Sequence, residues 1–124
     1  EKESEHMGLP IYDRGFTEEE IEFGFEGFVT RLNEMVEEHR KARFSNLPAE
    51  HITVHPGRVY WKLVKERVDG GGQRFVYCFV RKADGAILKS ATWSAPALNH
   101  ARGYVTESDY GMHCAGPYGV QYLR

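Results

Sequence analysis

Residues 58–80 read "RVYWKLVKERVDGGGQRFVYCFV", and this stretch decides the fold. Val59, Trp61 and Leu63 alternate with Tyr60, Lys62 and Val64. After a gap, Phe75, Tyr77 and Phe79 alternate with Val76, Cys78 and Val80. Successive side chains of a strand point to opposite faces, so a period of two predicts two strands. "DGGGQ" at 69–73 supplies the flexible turn between them, which makes the pair an antiparallel hairpin. "ADG" at 83–85 predicts a second tight turn, and 87–93 a third strand. Pro96 ends that strand, because proline cannot donate to a central ladder. In the tail, glycines and Pro117 surround Tyr118, Val120 and Tyr122, the pattern of a loop followed by a short terminal strand.

Upstream of the hairpins the period changes from two to between three and four. Thr17 followed by Glu18, Glu19 and Glu20 is a helix start: a threonine cap, Glu20 placed to close a capping box, and acids in the first turn. Ile21, Phe25, Phe28, Leu32, Met35, Val36 and His39 then recur at helical spacing. The helix is predicted over 17–43, with basic residues gathered in its last turns, and "SNLPAEH" breaks it through Pro48. Phe23 falls off the stripe, so the apolar surface is wider than one face. That width predicts packing on a sheet and on a symmetry mate.

The expected fold is therefore α+β, a long N-terminal helix packed on an antiparallel sheet of three to five strands. At 124 residues the chain makes one domain over 1–124: a flexible or partly ordered lead (1–16), the helix, and sheet with loops over 52–124. Hydrophobic residues at 41% suit a globular domain, and no apolar run approaches the ~20 residues that span a bilayer. With no signal peptide in view, the chain reads as soluble, cytoplasmic and without a membrane partner. Residues before Met7 read as vector-derived and enter no functional argument.

Net charge is −2, and it is unevenly distributed. Residues 1–50 hold six Lys and Arg against thirteen Asp and Glu, a net −7; residues 51–124 hold ten against five, a net +5. An anionic ligand would meet the back half. The common enzyme signatures are missing: no nucleophile elbow, phosphate-binding Walker loop, zinc-protease helix motif or dinucleotide fingerprint. Gly70–Gly72 form a hairpin turn with no helix behind it. His113 beside Cys114 lacks further ligands at metal spacing. His51 and His55 alternate along an extended segment, but two imidazoles do not make a zinc site. No metal and no cofactor is expected.

The richer signal lies around the third strand. Lys89 and Trp93 fall on one face at even spacing, and beyond Pro96 the chain presents Asn99, His100 and Arg102. Arginine offers a fixed fork of donors for phosphate, and Phe75 and Tyr77 on the neighbouring strand offer rings on which a base can stack. Trp93, Phe75 and Tyr77 fit a core equally well, and Arg102 fits a carbonyl cap.

The stretch 83–105, "ADGAILKSATWSAPALNHARGYV", preceded by "RFVYCFV", resembles a signature of small phage-encoded proteins. Among them it looks most like the first family of Thoeris anti-defence proteins. The resemblance covers about residues 58–105. It implies a homo-oligomer, a dimer or an assembly of dimers, that sequesters a cyclic nucleotide immune signal in an infected bacterial host cell without catalysis. The implied ligand is a cyclic ADP-ribose isomer, with cyclic oligonucleotides of the CBASS type at separate sites. Carried over by position, Phe75 would be the base-stacking aromatic and Arg102 the phosphate-binding cation; neither Asp84 nor Gly85 clearly supplies the polar contact expected near them. Asn99, His100, Trp93, Lys89 and Arg58 would surround the ligand. On this reading Arg102→Glu abolishes binding and leaves the fold intact. Three other functions stand beside it: a single-stranded nucleic-acid-binding module that uses the same cations and aromatics, a protein-interaction inhibitor of a host defence enzyme that uses the acidic front half as a decoy, and a small hydrolase of the signal.

Overall fold

The computed structural model describes residues 15–120. The expected lead before residue 15, the vector-derived residues within it, and Tyr122 of the expected terminal strand lie outside them. One long helix, α1 (Glu18–Arg43), packs across a five-stranded antiparallel sheet, which is the α+β arrangement the periodicities predict. The strands are β1 (Glu50–Pro56), β2 (Tyr60–Arg67), β3 (Phe75–Arg81), β4 (Ala86–Leu88) and β5 (Gly103–Tyr104). They lie side by side in chain order, so every pairing is local. A second small hairpin, β6 (Ala115–Gly116) with β7 (Gly119–Val120), follows a 3-10 turn at Met112–Cys114. None of the described helices is long and apolar enough to cross a membrane.

The start of α1 is the capping box written in the sequence. Glu20 N–H donates to Thr17 Oγ1 (3.1 Å), and Thr17 N–H donates to the Glu20 carboxylate (2.8 Å). Ile21, Phe25, Phe28, Leu32 and Val36 form its buried stripe, each contributing about 1.5–3 kcal/mol by leaving water. Phe25 stacks on Trp61 at 4.0 Å between ring centroids. The Asn33 side chain donates to Ile52 O and accepts from Ile52 N–H (3.3 and 2.7 Å), as a neighbouring strand would, and so fixes β1 against the helix. Gly24 and Gly27 let residues 104–110 approach closely: a Cβ at Gly24 would stand 2.3 Å from Val105 O. Part of the apolar width around Phe23 is thus used within the chain, where Phe23 meets Tyr110 edge-on.

Register separates the two faces of the sheet. Trp61 pairs with Val80, and Val80 with Ile87, on the face under α1; Lys62 pairs with Phe79, and Phe79 with Leu88, on the other. A bulge in β3 brings both Tyr77 and Cys78 opposite Leu63. The Tyr77 hydroxyl donates to Gly116 O and accepts from Gly116 N–H, clamping the β6–β7 hairpin onto the core.

The third strand is shorter than the alternation predicts. It ends at Leu88, and Lys89 and Trp93 do not share a strand face. The chain folds back instead: Ala97 N–H donates to Lys89 O, Ala91 N–H to Ala95 O, and Thr92 Oγ1 accepts from the amides of Ser94 and Ala95. A threonine side chain that captures two amides turns the chain four residues before Pro96, and the ladder has already stopped at Leu88. Pro96 only forms an isolated bridge with Ser90. The excursion 89–102 then returns over the second face, where Leu98 and Ala101 pack on Phe79, Ala86 and Leu88.

Candidate functional site

The sequence-predicted site residues fall into separate places. Arg102, Asn99 and His100 do come together, bonded to one another in a turn. Arg102 is 8% exposed, and its guanidinium donates to His100 O (2.8 Å) and Asn99 Oδ1 (3.3 Å). Asn99 Oδ1 also accepts from His100 N–H (2.8 Å). An arginine that braces its own loop from a buried position holds the chain reversal between the 89–102 excursion and β5. Phe75 is 54% exposed, and its pairing with Lys65 puts it on the face that bears α1. Lys89 is half-buried, its carbonyl bound by Ala97 at the base of the excursion. Asp84 is buried against Arg81 and Gly85 forms the turn, so neither reaches a ligand position.

Trp93 and Arg58 do meet. They line one cavity of about 620 Å³ on the face of the sheet opposite α1, with His55, Tyr60, Lys62, Phe79 and Arg74. Trp93 is not buried in the core: it stands 43% exposed at the tip of the 92–95 turn. Lys62 reaches across to donate to Trp93 O (2.9 Å), and its Nζ lies 4.1 Å from the indole centroid. The Arg74 guanidinium lies 5.1 Å from the same ring. The negative face of the indole draws both cations to it, and a base stacking there would displace one of them. Glu66 lies 3.8 Å from Arg74 and stands outside the described cavity lining. Tyr60 is half-buried beside Phe79, and burial pushes its phenol up, so it remains a neutral donor.

Three cationic side chains and an imidazole thus face one space with three aromatic rings, and among the described residues no carboxylate lines it. The volume lies in the range of small-molecule pockets, about 300–1,000 Å³. Two other cavities are less suited to an anion. The one between Phe16, Phe23 and Tyr110 is rimmed by Glu19, Glu20 and Glu107. In the one around His39, Phe44 and Tyr118, the cations Arg40, Lys65 and Arg67 face Glu37, Glu50 and Asp69 respectively.

Lys62, Arg74 and Tyr60 are not among the sequence-predicted site residues, and His55 is weighed there only as a metal ligand. Tyr60 and Lys62 carried a signal, being two apart on one strand face with Phe79 opposite Lys62 through the hairpin register. That Trp93 would join them depends on the 92–95 reversal.

Among the described residues, Glu107, Asp109 and His113 bring metal-type ligand atoms within 4.8 Å of one another. Each is already engaged in bracing the loop. Asp109 accepts from the amides of Gly111 and His113, and Glu107 from Tyr104 N–H and the His113 ring. Cys114 does not face His113: its thiol donates to Gly111 O, and burial pushes it up to about 11, so it is neutral at pH 7.

Residues 16–118 match the model of a family of unknown function, DUF7717. No curated protein and no solved structure matches the chain.

Proposed function

The chain belongs to the DUF7717 family, and from its geometry we propose that it binds a phosphate-bearing nucleotide in the Trp93 cavity and holds it without chemistry. The observation that carries this reading is the lining itself: Arg58, Lys62 and Arg74 around the rings of Tyr60, Phe79 and Trp93, with no carboxylate among the described residues. Guanidinium forks and an ammonium fit phosphate oxygens, and Tyr60 and Trp93 fit a planar ring. Retention without turnover needs such donors and no activated nucleophile, and the imidazole of the lining, His55, is engaged with Thr53 Oγ1 (3.2 Å).

The sequestration role implied by the 83–105 resemblance fits this pocket. In it the protein would be a phage anti-defence sponge for a cyclic ADP-ribose-type signal, working as a homo-oligomer in the cytoplasm of an infected cell. The phosphate grip then falls to Lys62, Arg58 and Arg74 instead of Arg102. Arg102→Glu puts an acid into a buried turn, so it is expected to destabilise residues 99–103 rather than report on the ligand alone.

The test is incubation with a panel of nucleoside phosphates and cyclic nucleotides, heat denaturation, and mass spectrometry of what is released. Intact nucleotide is expected from the parent and none from Lys62→Glu, with both proteins melting alike. Altered nucleotide would make the protein an enzyme, and no nucleotide would refute the site. Affinity for single strands that falls steeply and continuously with salt would move the assignment to nucleic-acid binding.

A further inference from the structure

Arg58 borders two cavities. On one side is the Trp93 cavity; on the other is a space of about 560 Å³ bounded by Arg58, Lys82 and Ala83 and by Phe16, Glu18 and Ile21 at the start of α1. The backbone between them is fixed. Gly57 N–H donates to Tyr60 O (2.8 Å), and Lys82 N–H donates to Val59 O (2.9 Å), which extends the β2–β3 ladder past Tyr60 and Arg81. That pairing sets Lys82 beside the turn that carries Arg58. The Lys82 ammonium then lies over the Trp61 ring, 5.6 Å from its centroid, on the α1 side of the sheet. Arg74, Lys62, Arg58 and Lys82 therefore run as one cationic line from one face of the sheet, around its end, to the other.

The two cavities differ in their other lining residues but repeat three parts. Each has Arg58, a lysine, and an exposed aromatic ring at its outer wall: Trp93 in the first, Phe16 in the second. A mononucleotide uses one ring and one phosphate cluster, and would leave the second set idle. From this repetition we propose that the site is double, with a second subsite between Arg58, Lys82 and Phe16, and that its ligand is a dinucleotide whose internal phosphate lies at Arg58. Glu18 gives the second subsite its polarity. A carboxylate there disfavours a terminal phosphate and accepts hydrogen bonds from ribose hydroxyls or a base amino group. The phosphate is thus directed to Arg58 and Lys82, and a nucleoside to Phe16 and Glu18. This inference rests on the nucleotide reading of the Trp93 cavity.

The experiment is titration calorimetry of the full chain with the four nucleoside monophosphates and the four corresponding homodinucleotides. The best dinucleotide is expected to bind at least about tenfold more tightly than its monophosphate, the scale of one charge-assisted phosphate contact. Lys82→Ala should abolish that advantage and leave the monophosphate affinity unchanged, whereas Lys62→Ala should weaken both ligands. Phe16→Ala is a second probe of the same subsite, from an exposed side chain, and should also lower only the dinucleotide affinity. Equal affinity for the two ligand sizes would overturn the second subsite and leave the first standing. So would dinucleotide binding that neither Lys82→Ala nor Phe16→Ala alters. If no monophosphate and no dinucleotide binds, the nucleotide reading itself falls.

Discussion

Removing the carboxylate of Asp84 should bring the domain close to unfolding. The side chains of Arg81 and Asp84 are 0% and 2% exposed, and they meet through Nη2–Oδ2 at 2.7 Å and Nε–Oδ1 at 3.1 Å. Asp84 Oδ1 also accepts from Ala86 N–H (3.1 Å), at the first residue of β4. Deleting one partner of a buried pair leaves a desolvated charge and costs about 3–5 kcal/mol. The orphaned amide of Ala86 adds about 1 kcal/mol. Against a total of about 5–15 kcal/mol for a domain of this size, Asp84→Ala consumes much of the stability. With a urea m-value of about 2 kcal/mol/M, a loss of 4 kcal/mol moves the unfolding midpoint down by about 2 M. Asp84→Asn keeps an acceptor for Ala86 and should fall between Asp84→Ala and the parent. The double variant Arg81→Met with Asp84→Asn should recover most of the loss, because it removes both buried charges together and leaves neither unpaired, while the new asparagine keeps an acceptor for Ala86. Urea unfolding followed by far-ultraviolet circular dichroism measures all three. An Asp84→Ala midpoint within about 0.5 M of the parent would refute the reasoning.

Two further outcomes follow from the packing. Gly→Ala inside a helix ordinarily gains about 1 kcal/mol. At Gly24 the new Cβ would lie 2.3 Å from Val105 O and 2.8 Å from Val105 C, both backbone atoms, so overpacking of about 1–3 kcal/mol should reverse the sign. Gly24→Ala should lower Tm, and more than Gly27→Ala, whose Cβ would stand nearest to atoms of the Tyr110 side chain; an equal or higher Tm would place α1 farther from residue 105. The domain should also weaken in alkali. Burial pushes the Cys114 thiol up to about 11 from its ordinary value near 9, and burial raises Cys78 and Tyr77 as well. A raised folded value gives stability that is complete below pH 9 and lost as pH rises through 11, up to about 2 kcal/mol for Cys114. Thermal melts between pH 8 and 11 should show the decline, and Cys114→Ala should flatten it; a parallel decline in that variant would remove Cys114 from the cause.

Local rules carried the fold, and long-range closure decided the site. The capping box, the helical stripe and the period-two runs are each written within a few residues, and each formed as the pattern requires. The β3 bulge left no trace in the alternation, because Tyr77 and Cys78 are both good strand residues on either face. The length of β4 was misjudged for a related reason. Residues 87–93 contain no breaker, yet the Thr92 hydroxyl offers the backbone two hydrogen bonds that compete with a longer ladder. That one competition moved Trp93 from a strand face to a loop tip, and the candidate site moved with it. Arg102 illustrates the converse. Its neighbours Asn99 and His100 looked like ligand donors, but the buried guanidinium donates to those same neighbours.

The charge asymmetry of the sequence takes on a direction in the fold. Glu18, Glu19, Glu20, Glu22, Glu26, Glu34 and Glu38 stand exposed along α1, on the outer side of the helix layer. Arg58, Lys62 and Arg74 stand at the opposite face of the sheet, and Lys82 at its end. An anion is thus repelled from the helix side and drawn to the side where the rings are, which raises its local concentration at the cavity. The same arrangement limits self-association through α1, since two acidic helices repel unless apolar contact outweighs them. The exposed Phe23 lies on the flank that faces Tyr110. A homo-oligomer built on this chain is therefore expected to use that flank, and to strengthen as salt screens the surrounding glutamates, whereas nucleotide binding at Lys62 and Arg58 should weaken. Opposite responses to ionic strength separate the two surfaces in one salt series. If oligomerisation and binding weaken together, acidic and basic faces are instead meeting between protomers.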